Sequence, residues 1–285
     1  MVIFDISDPA DPQLVGRFFS SDAAIISVRV AGSYVYIARN NGLQIVDVSN
    51  PRVPLIARFY STRNYAAALN IVDNYVYLAE GGQLHIIDLS NPLASEVRLF
   101  SPQDGKYYHI RDVVVLGSNV YLPSCYYVRP NNSYGILQIV NVSTPSNPYV
   151  VNNYNLENKR LCLDIVGKAN NVLYLTGRYN LWQVDVTDPF SPQLINQYNV
   201  PDWTQKVVGD YAYIAFGSDL LLIDLTKPTG FAPDPRMSVP NQRWDVAVIG
   251  NYAYFVEKRY EDTPRLRVYD ISEPDKPILT YESDF

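Results

Sequence analysis

Apolar residues fall in short runs along this chain, with Gly, Asn, Asp, Ser and Pro between them. Four kinds of run recur in a fixed order. The first is apolar, as at Val28–Ala31, Val113–Leu116 and Val246–Ile249. The second carries tyrosine at alternate positions: Tyr34-Val35-Tyr36, Tyr75-Val76-Tyr77, Asn119-Val120-Tyr121, Val172-Leu173-Tyr174, Tyr211-Ala212-Tyr213 and Tyr252-Ala253-Tyr254. The third is a Leu-x-Ile-Val-Asp run, as at Leu43–Asp47, and the fourth follows a proline, as at Pro54–Tyr60 or Pro192–Tyr198. Runs this short, rich in β-branched and aromatic residues, predict strands A, B, C and D of a repeating unit. Pairs such as Gly32-Ser33, Asp73-Asn74, Asn170-Asn171 and Gly250-Asn251 separate A from B and favour tight hairpins, because they tolerate positive φ. Strand C is apolar on both faces in several copies, Leu220–Ile223 among them, as expected of a strand covered from both sides.

An Asp-x-Ser-x-Pro element closes each C strand. Its copies begin at Asp5, Asp47, Asp88, Asn141, Asp185, Asp224 and Asp270, spaced 42, 41, 53, 44, 39 and 46 residues apart. A four-stranded unit of this length cannot bury both faces of its sheet alone, and the period is that of one propeller blade. The expected fold is all-β, a propeller of four-stranded antiparallel blades. The Asp or Asn oxygen is expected to accept N–H bonds from two residues on, forming an Asx-turn, with Pro fixing φ beyond it. Seven equivalent side chains, six carboxylates and the Asn141 amide, one per blade, read as structural rather than as one catalytic or metal set.

Leu43-Gln44-Ile45-Val46-Asp47-Val48-Ser49-Asn50-Pro51 and its six relatives resemble the LVIVD repeat over essentially the whole chain. The resemblance implies blades of a β-propeller from a bacterial or archaeal protein, often cell-surface or secreted. It implies no family-wide reaction and no catalytic residues. Departures are Asn141 in an Asp slot and the segment after Lys227-Pro228, where Thr229–Pro240 replaces strand D. Residues 1–285 read as one propeller domain: residues 1–19 are a C–D hairpin, or partial blade, and residues 20–285 are six full repeats. Seven blades with the first incomplete is the preferred count, with the missing strands upstream of Met1 or from another chain. Six closed blades with an extra N-terminal hairpin is the alternative. No signal peptide is visible, so one would lie upstream of Met1.

Composition narrows the function. The formal charge is −6, from 23 basic and 29 acidic residues. That speaks against a nucleic-acid footprint and against an anionic membrane surface. No apolar run reaches the length of a membrane-spanning helix. The two histidines, His85 and His109, make no zinc pattern, and no nucleophile elbow or phosphate loop is present. His85, between Leu84 and Ile86, reads as a packed or edge histidine. Calcium could be held by Asp and carbonyls at the channel, but no calcium loop exists, so no cofactor and no metal are expected.

Architecture directs attention to the channel mouth, where the starts of the A strands meet. The candidates there are His109, Arg111, Asp112, Arg160, Asp164, Asp202, Trp203, Arg243, Trp244 and Asp245. Alternating Arg and Asp with Trp walls suits a polar ligand. The plainer reading is that neighbouring Arg and Asp pair to satisfy the rim. Insertions at Cys125–Tyr134 and Thr229–Pro240 are read as loops, the first with an aromatic patch of Tyr107, Tyr108, Tyr126 and Tyr127. Asn131-Asn132-Ser133 fits a glycosylation acceptor, whereas Asn141-Val142-Ser143 sits in the strand-end slot and should stay unmodified. Cys125 and Cys162 either pair or remain thiols; they are read as core or edge cysteines. The resulting expectation is a non-enzymatic binding or scaffolding propeller outside a prokaryotic cell, with a protein or small polar ligand as partner. The alternatives are a hydrolase or lactonase-like enzyme at the channel mouth, and a homo-oligomer that exchanges strands through the incomplete blade.

Overall fold

The computed structural model describes residues 1–19, 24–90, 97–100, 108–127, 133–159, 162–177, 180–199, 205–216, 219–226, 243–258, 265–273 and 277–284. All regular structure there is β. Strands β1 (Val2–Asp5) and β2 (Gln13–Arg17) form a two-stranded sheet. The next sheet is β3 (Ile25–Ala31), β4 (Tyr34–Arg39), β5 (Gly42–Asp47) and β6 (Leu55–Ser61), paired in chain order. The same meander recurs in β7 (Ala66–Val72), β8 (Tyr75–Glu80), β9 (Gln83–Asp88) and β10 (Val97–Phe100). A larger sheet holds β11 (Tyr108–Ile110), β12 (Val114–Leu116), β13 (Asn119–Tyr127), β14 (Ser133–Asn141) and β15 (Tyr149–Lys159). Then come β16 (Asp164–Ala169), β17 (Val172–Gly177), β18 (Asn180–Asp185) and β19 (Gln193–Asn199) as one sheet. Strands β20 (Gln205–Val208), β21 (Tyr211–Phe216) and β22 (Asp219–Asp224) form another. The last is β23 (Arg243–Ile249), β24 (Tyr252–Lys258), β25 (Arg265–Asp270) and β26 (Ile278–Asp284). Each full sheet is an antiparallel four-stranded meander, the form of a propeller blade.

The A–B turn is the same in every repeat. Gly32, Asp73, Gly117, Asn170, Gly209 and Gly250, each the first residue of its turn, all have φ between 50° and 59°. Two-residue hairpins need this left-handed backbone, and Gly, Asn and Asp reach it with least strain. Each turn is then tied to the strand C corner. The residue after the motif Asp or Asn donates its N–H to the second turn residue: Val48 to Ser33 at 2.8 Å, Leu89 to Asn74 at 2.7 Å, Val142 to Ser118 at 2.8 Å. Val186, Leu225 and Ile271 do likewise to Asn171, Asp210 and Asn251, each at 2.8 Å. The motif side chain caps the same corner. Ser7, Ser49, Ser90, Thr226 and Ser272 donate N–H to the Oδ1 of Asp5, Asp47, Asp88, Asp224 and Asp270 at 2.8–2.9 Å. Asn141 accepts from the Ser143 N–H at 3.0 Å and from its hydroxyl at 2.7 Å. A register shift recurs in strand C just before the motif, at Ile45/Val46, Ile139/Val140, Gln183/Val184 and Val268/Tyr269.

Packing groups the chain into two compact units. One comprises Met1–Ile3, Val15–Ile165 and Thr187–Pro192. Its sheets stack face to face: Tyr36, Ala38, Leu43 and Ile45 pack on Leu69, Val76 and Leu78, and Ala68, Tyr77 and Ala79 pack on Val113, Val115 and Val120. Strand β5 is buried along Gly42–Val46, on both faces, as a strand between two sheets must be. Met1 and Phe18 cover Val35, Ile37 and Val46 in the same unit. The other unit comprises Phe4–Leu14, Val166–Val186 and Gln193–Phe285. There Tyr174, Leu181 and Tyr198 pack with Val207 and Ala212, and Tyr213 packs with Val246, Ala253 and Phe255. The second tyrosine of every Tyr-x-Tyr motif is buried.

The structure departs from the sequence reading in three places. The third A strand is not one run at Val113–Leu116. It is β11 and β12, both paired with β13, and the gap holds Arg111 and Asp112. The supposed loop at Cys125–Tyr134 is partly strand, because alternating polar and aromatic residues extend β13 to Tyr127 and start β14 at Ser133. Cys125 and Cys162 are not free thiols but a disulfide, with Cα atoms 4.7 Å apart. Thr229–Pro240, Tyr107, Asn131 and Asn132 lie outside the described residues.

Candidate functional site

The gap between β11 and β12 lets the backbone turn Arg111 and Asp112 away from the ladder. The Arg111 N–H still reaches the Pro123 carbonyl at 2.9 Å, and Asp112 Oδ1 accepts the Val113 N–H at 2.8 Å. The Arg111 guanidinium then meets Asp164, the first residue of β16, in a two-pronged pair. Its Nε donates to Oδ1 at 2.9 Å and its NH2 to Oδ2 at 3.1 Å. Such fork-to-carboxylate pairs fix orientation as well as charge. His109 sits two residues before Arg111. Burial first, and then the Arg111 charge, hold its imidazole below its usual pKa, while Asp164 works the other way.

Beside this pair runs a row of tyrosines. In register, Tyr108 of β11 faces Tyr126 of β13, which faces Tyr134 of β14. The Tyr126 and Tyr134 rings stack at 5.3 Å and 18°, and Tyr108 tilts onto Tyr126 at 5.7 Å. Tyr108 is buried; Tyr126 and Tyr134 are half-buried. The next row along holds His109, Cys125 and Gly135. The disulfide from Cys125 therefore pins this row to the chain entering β16, two residues before Asp164. Of the sequence-predicted site, His109, Arg111, Asp112 and Asp164 converge here. Arg243, Trp244 and Asp245 lie at the start of β23, and their side chains, like Arg160, Asp202 and Trp203 as a whole, fall outside what the structure describes.

A second polar place was not read as a site from the sequence. A cavity of about 370 Å³ opens beside β6, β8 and β9, walled by Tyr60, Thr62, Arg63, Leu78, Glu80 and His85 among others. Glu80 is 2% and His85 8% exposed. His85 Nε2 meets Glu80 Oε2, and the Asn64 N–H donates to Glu80 Oε1. Burial outweighs Glu80 and keeps His85 below its usual pKa. The signal for this place is positional. The end of strand B and the middle of strand C hold Arg39 with Gln44 in one repeat, Glu80 with His85 in the next, and Ser124 with Gln138 in the third. Arg39 donates to Gln44 at 2.7 Å, and Ser124 to Gln138 at 3.3 Å. The slot thus carries a buried polar pair whose identity varies from blade to blade. Among the described residues, no three His, Cys, Asp or Glu side chains gather to hold a metal ion.

The LVIVD repeat family matches residues 1–19, 25–62, 64–96, 129–156, 205–232 and 242–284. Among solved structures, apo AztD from Citrobacter koseri is similar at a TM-score of 0.62 and 12% identity, over 99% of this chain and 91% of that one. A Lactobacillus plantarum protein is similar at a TM-score of 0.68 and 11% identity, over 95% and 88%. At such identities the likeness shows the fold alone, and that fold is the β-propeller. No curated protein sequence matches the chain. The repeat matches cover more than half of the chain, in the phase set by the strand C corners, and the chain therefore belongs to the LVIVD repeat family.

Proposed function

We propose that this propeller is a non-enzymatic binding and scaffolding protein of the prokaryotic cell exterior, holding a protein or a small polar ligand. The observation that carries this reading is the Tyr108–Tyr126–Tyr134 row beside the Arg111–Asp164 pair, on a hairpin of nine-residue strands. Half-buried Tyr rings beside Arg are the residue types that anchor interfaces, because they offer large contact area at little entropic cost. The Arg111 charge is spent on Asp164, so the place favours shape and stacking over electrostatic chemistry. The Cys125–Cys162 bond supports an exterior location, since disulfides persist in oxidising compartments. No cofactor is part of this reading.

The test uses a peptide array and a glycan array, with a parallel panel of p-nitrophenyl esters and lactones. Saturable binding to an array member, lost in Tyr126→Ala and Tyr134→Ala, is the expected result. Ester or lactone turnover that disappears in His85→Gln would overturn it and move the function to the Glu80–His85 cavity. Fractionation of the native host should place the protein outside the cytoplasm.

A further inference from the structure

Three residues before the motif Asp or Asn, strand C carries a polar residue in four described copies: Gln44, His85, Gln138 and Arg267. Three of these are bonded within their own sheet. Gln44 accepts from Arg39 at 2.7 Å. Gln138 donates to Asn153 at 3.4 Å and Arg267 to Glu282 at 3.0–3.1 Å, in each case the residue facing it in register on strand D. His85 faces Leu99, which has no polar atom. Its ring is buried, yet Nε2 lies against Glu80 Oε2 without making an aligned hydrogen bond, and the ring has no other partner among the described residues. Buried polar groups are nearly always bonded. This one lines a cavity instead.

Register explains the cavity's walls. Leu78 faces His85 across the β8–β9 ladder and Glu80 faces Gln83, so these four and Ile87 share one sheet face. Tyr60, from the end of β6, and Thr62 close the other side. A volume of about 370 Å³ suits a small organic ligand. Its depth is rich in acceptors. Glu80 takes one backbone N–H, from Asn64, and its two oxygens have lone pairs to spare. Thr62 donates its hydroxyl proton to the Asn64 carbonyl at 2.8 Å and keeps its own lone pairs. Burial holds the His85 imidazole below its usual pKa, so at neutral pH it does not offset the carboxylate. Among the described residues no Arg or Lys is ion-paired with Glu80. Arg63 stands exposed at the rim, and Arg58 lies over the Tyr60 ring, 4.5 Å from its centre. A buried carboxylate without a counter-cation is unfavourable.

We propose that the cavity between β6 and the β8–β9 hairpin binds a primary alkylammonium group, with Glu80 as its counter-charge, His85 and Thr62 as further acceptors, and Leu78, Ile87 and the Tyr60 ring against its carbon chain. An ammonium carries three donors and no acceptor, which matches a site that offers acceptors at depth. A neutral hydroxylated ligand would leave the Glu80 charge uncountered. A metal ion would find fewer than three of its usual ligand side chains gathered among the described residues. A free amine and a lysine side chain present the same group. The site is separate from the Tyr126 row and stands whether or not that row binds anything.

The test titrates the whole chain at neutral pH with n-butylamine, the peptide acetyl-Gly-Lys-Gly-amide, n-butanol and zinc chloride, read by calorimetry and by the NMR signals of the His85 ring. Saturable binding of an ammonium ligand that shifts those signals is expected, and the tighter of amine and peptide identifies the source. Glu80→Gln keeps the shape, removes the charge and should weaken binding at least about tenfold. Arg63→Gln changes an exposed side chain and should strengthen binding about twofold, by removing a like charge at the rim. Tyr126→Ala should leave binding unchanged, which separates this site from the tyrosine row. No ammonium binding, n-butanol bound as tightly as n-butylamine, or equal binding to Glu80→Gln overturns the proposal. Should Glu80→Gln fail to fold, Arg63→Gln decides, and unchanged or weaker binding there overturns it. Saturable zinc binding at the His85 ring with no ammonium competition would overturn it in favour of a metal.

Discussion

Arg111 and Asp164 stand 53 residues apart in sequence and meet through two hydrogen bonds, Nε to Oδ1 at 2.9 Å and NH2 to Oδ2 at 3.1 Å. They join the sheet of β11–β15 to the first residue of β16. The pair is partly open to solvent, so its strength is modest despite good geometry.

Arg111→Ala should therefore cost about 0.5–1 kcal/mol, less at high salt. It should also raise the pKa of His109, since the Arg111 charge is one of the causes that hold it down and Asp164 is then left unpaired. Urea unfolding at two salt concentrations, and an NMR titration of the His109 ring, read the two effects.

The buried Glu80–His85 couple predicts acid sensitivity. Folding lowers the pKa of both His85 and His109 from 6.5, so the unfolded chain binds more protons as pH falls through that value. Their contribution is fully present above about 6.5 and is lost on acidification. Asp5, Asp47, Asp88 and Asp270 act at lower pH. Hydrogen bonds from Ser lower their pKa from 3.8, so their contribution is lost only below that value. Glutamine already fills the His85 slot in neighbouring repeats, as Gln44 and Gln138. His85→Gln should fold and flatten, without abolishing, the fall in melting temperature between pH 7 and pH 5. An unchanged slope would assign the effect elsewhere.

Cutting the Cys125–Cys162 bond should destabilise the chain by about 3–4 kcal/mol, the loop-closure entropy of 37 residues. The paired Cys125→Ser/Cys162→Ser variant and the reduced wild type should show the same lowered urea midpoint. Spectral change should concentrate in tyrosine fluorescence, because the bond pins the row next to Tyr126.

At the strand C corner, Asp47→Ala removes the acceptor of the Ser49 N–H and should lower the melting temperature measurably. Asp47→Asn should leave it nearly unchanged, since Asn141 makes the same bond to Ser143 at 3.0 Å. A larger loss in Asp47→Asn than in Asp47→Ala would show that charge, not turn geometry, matters there.

Local chemistry made much of this legible in one dimension. The turn pairs at Gly32, Asp73 and Asn170 announce positive φ because few residues reach it, and the structure places all six of their kind there. The Asp-x-Ser bonds span two residues and need no partner from afar. Long-range pairs leave no such trace. Nothing near Cys125 says that Cys162 will reach it, and nothing at Glu80 says that its carboxylate will be buried against His85. The third A strand broke into β11 and β12 for a related reason: the Arg111–Asp164 contact is made across sheets, and periodicity along one strand does not record it.

By itself, then, the order of residues determined the strand period, the turn geometry and the family, because each depends on contacts within one repeat of about forty residues. Tertiary structure alone decided which side chains meet across repeats. It made the disulfide, the tyrosine row and the Glu80–His85 cavity. All of these depend on how one sheet lies upon the next, and a buried valine and a bare one are spelled alike.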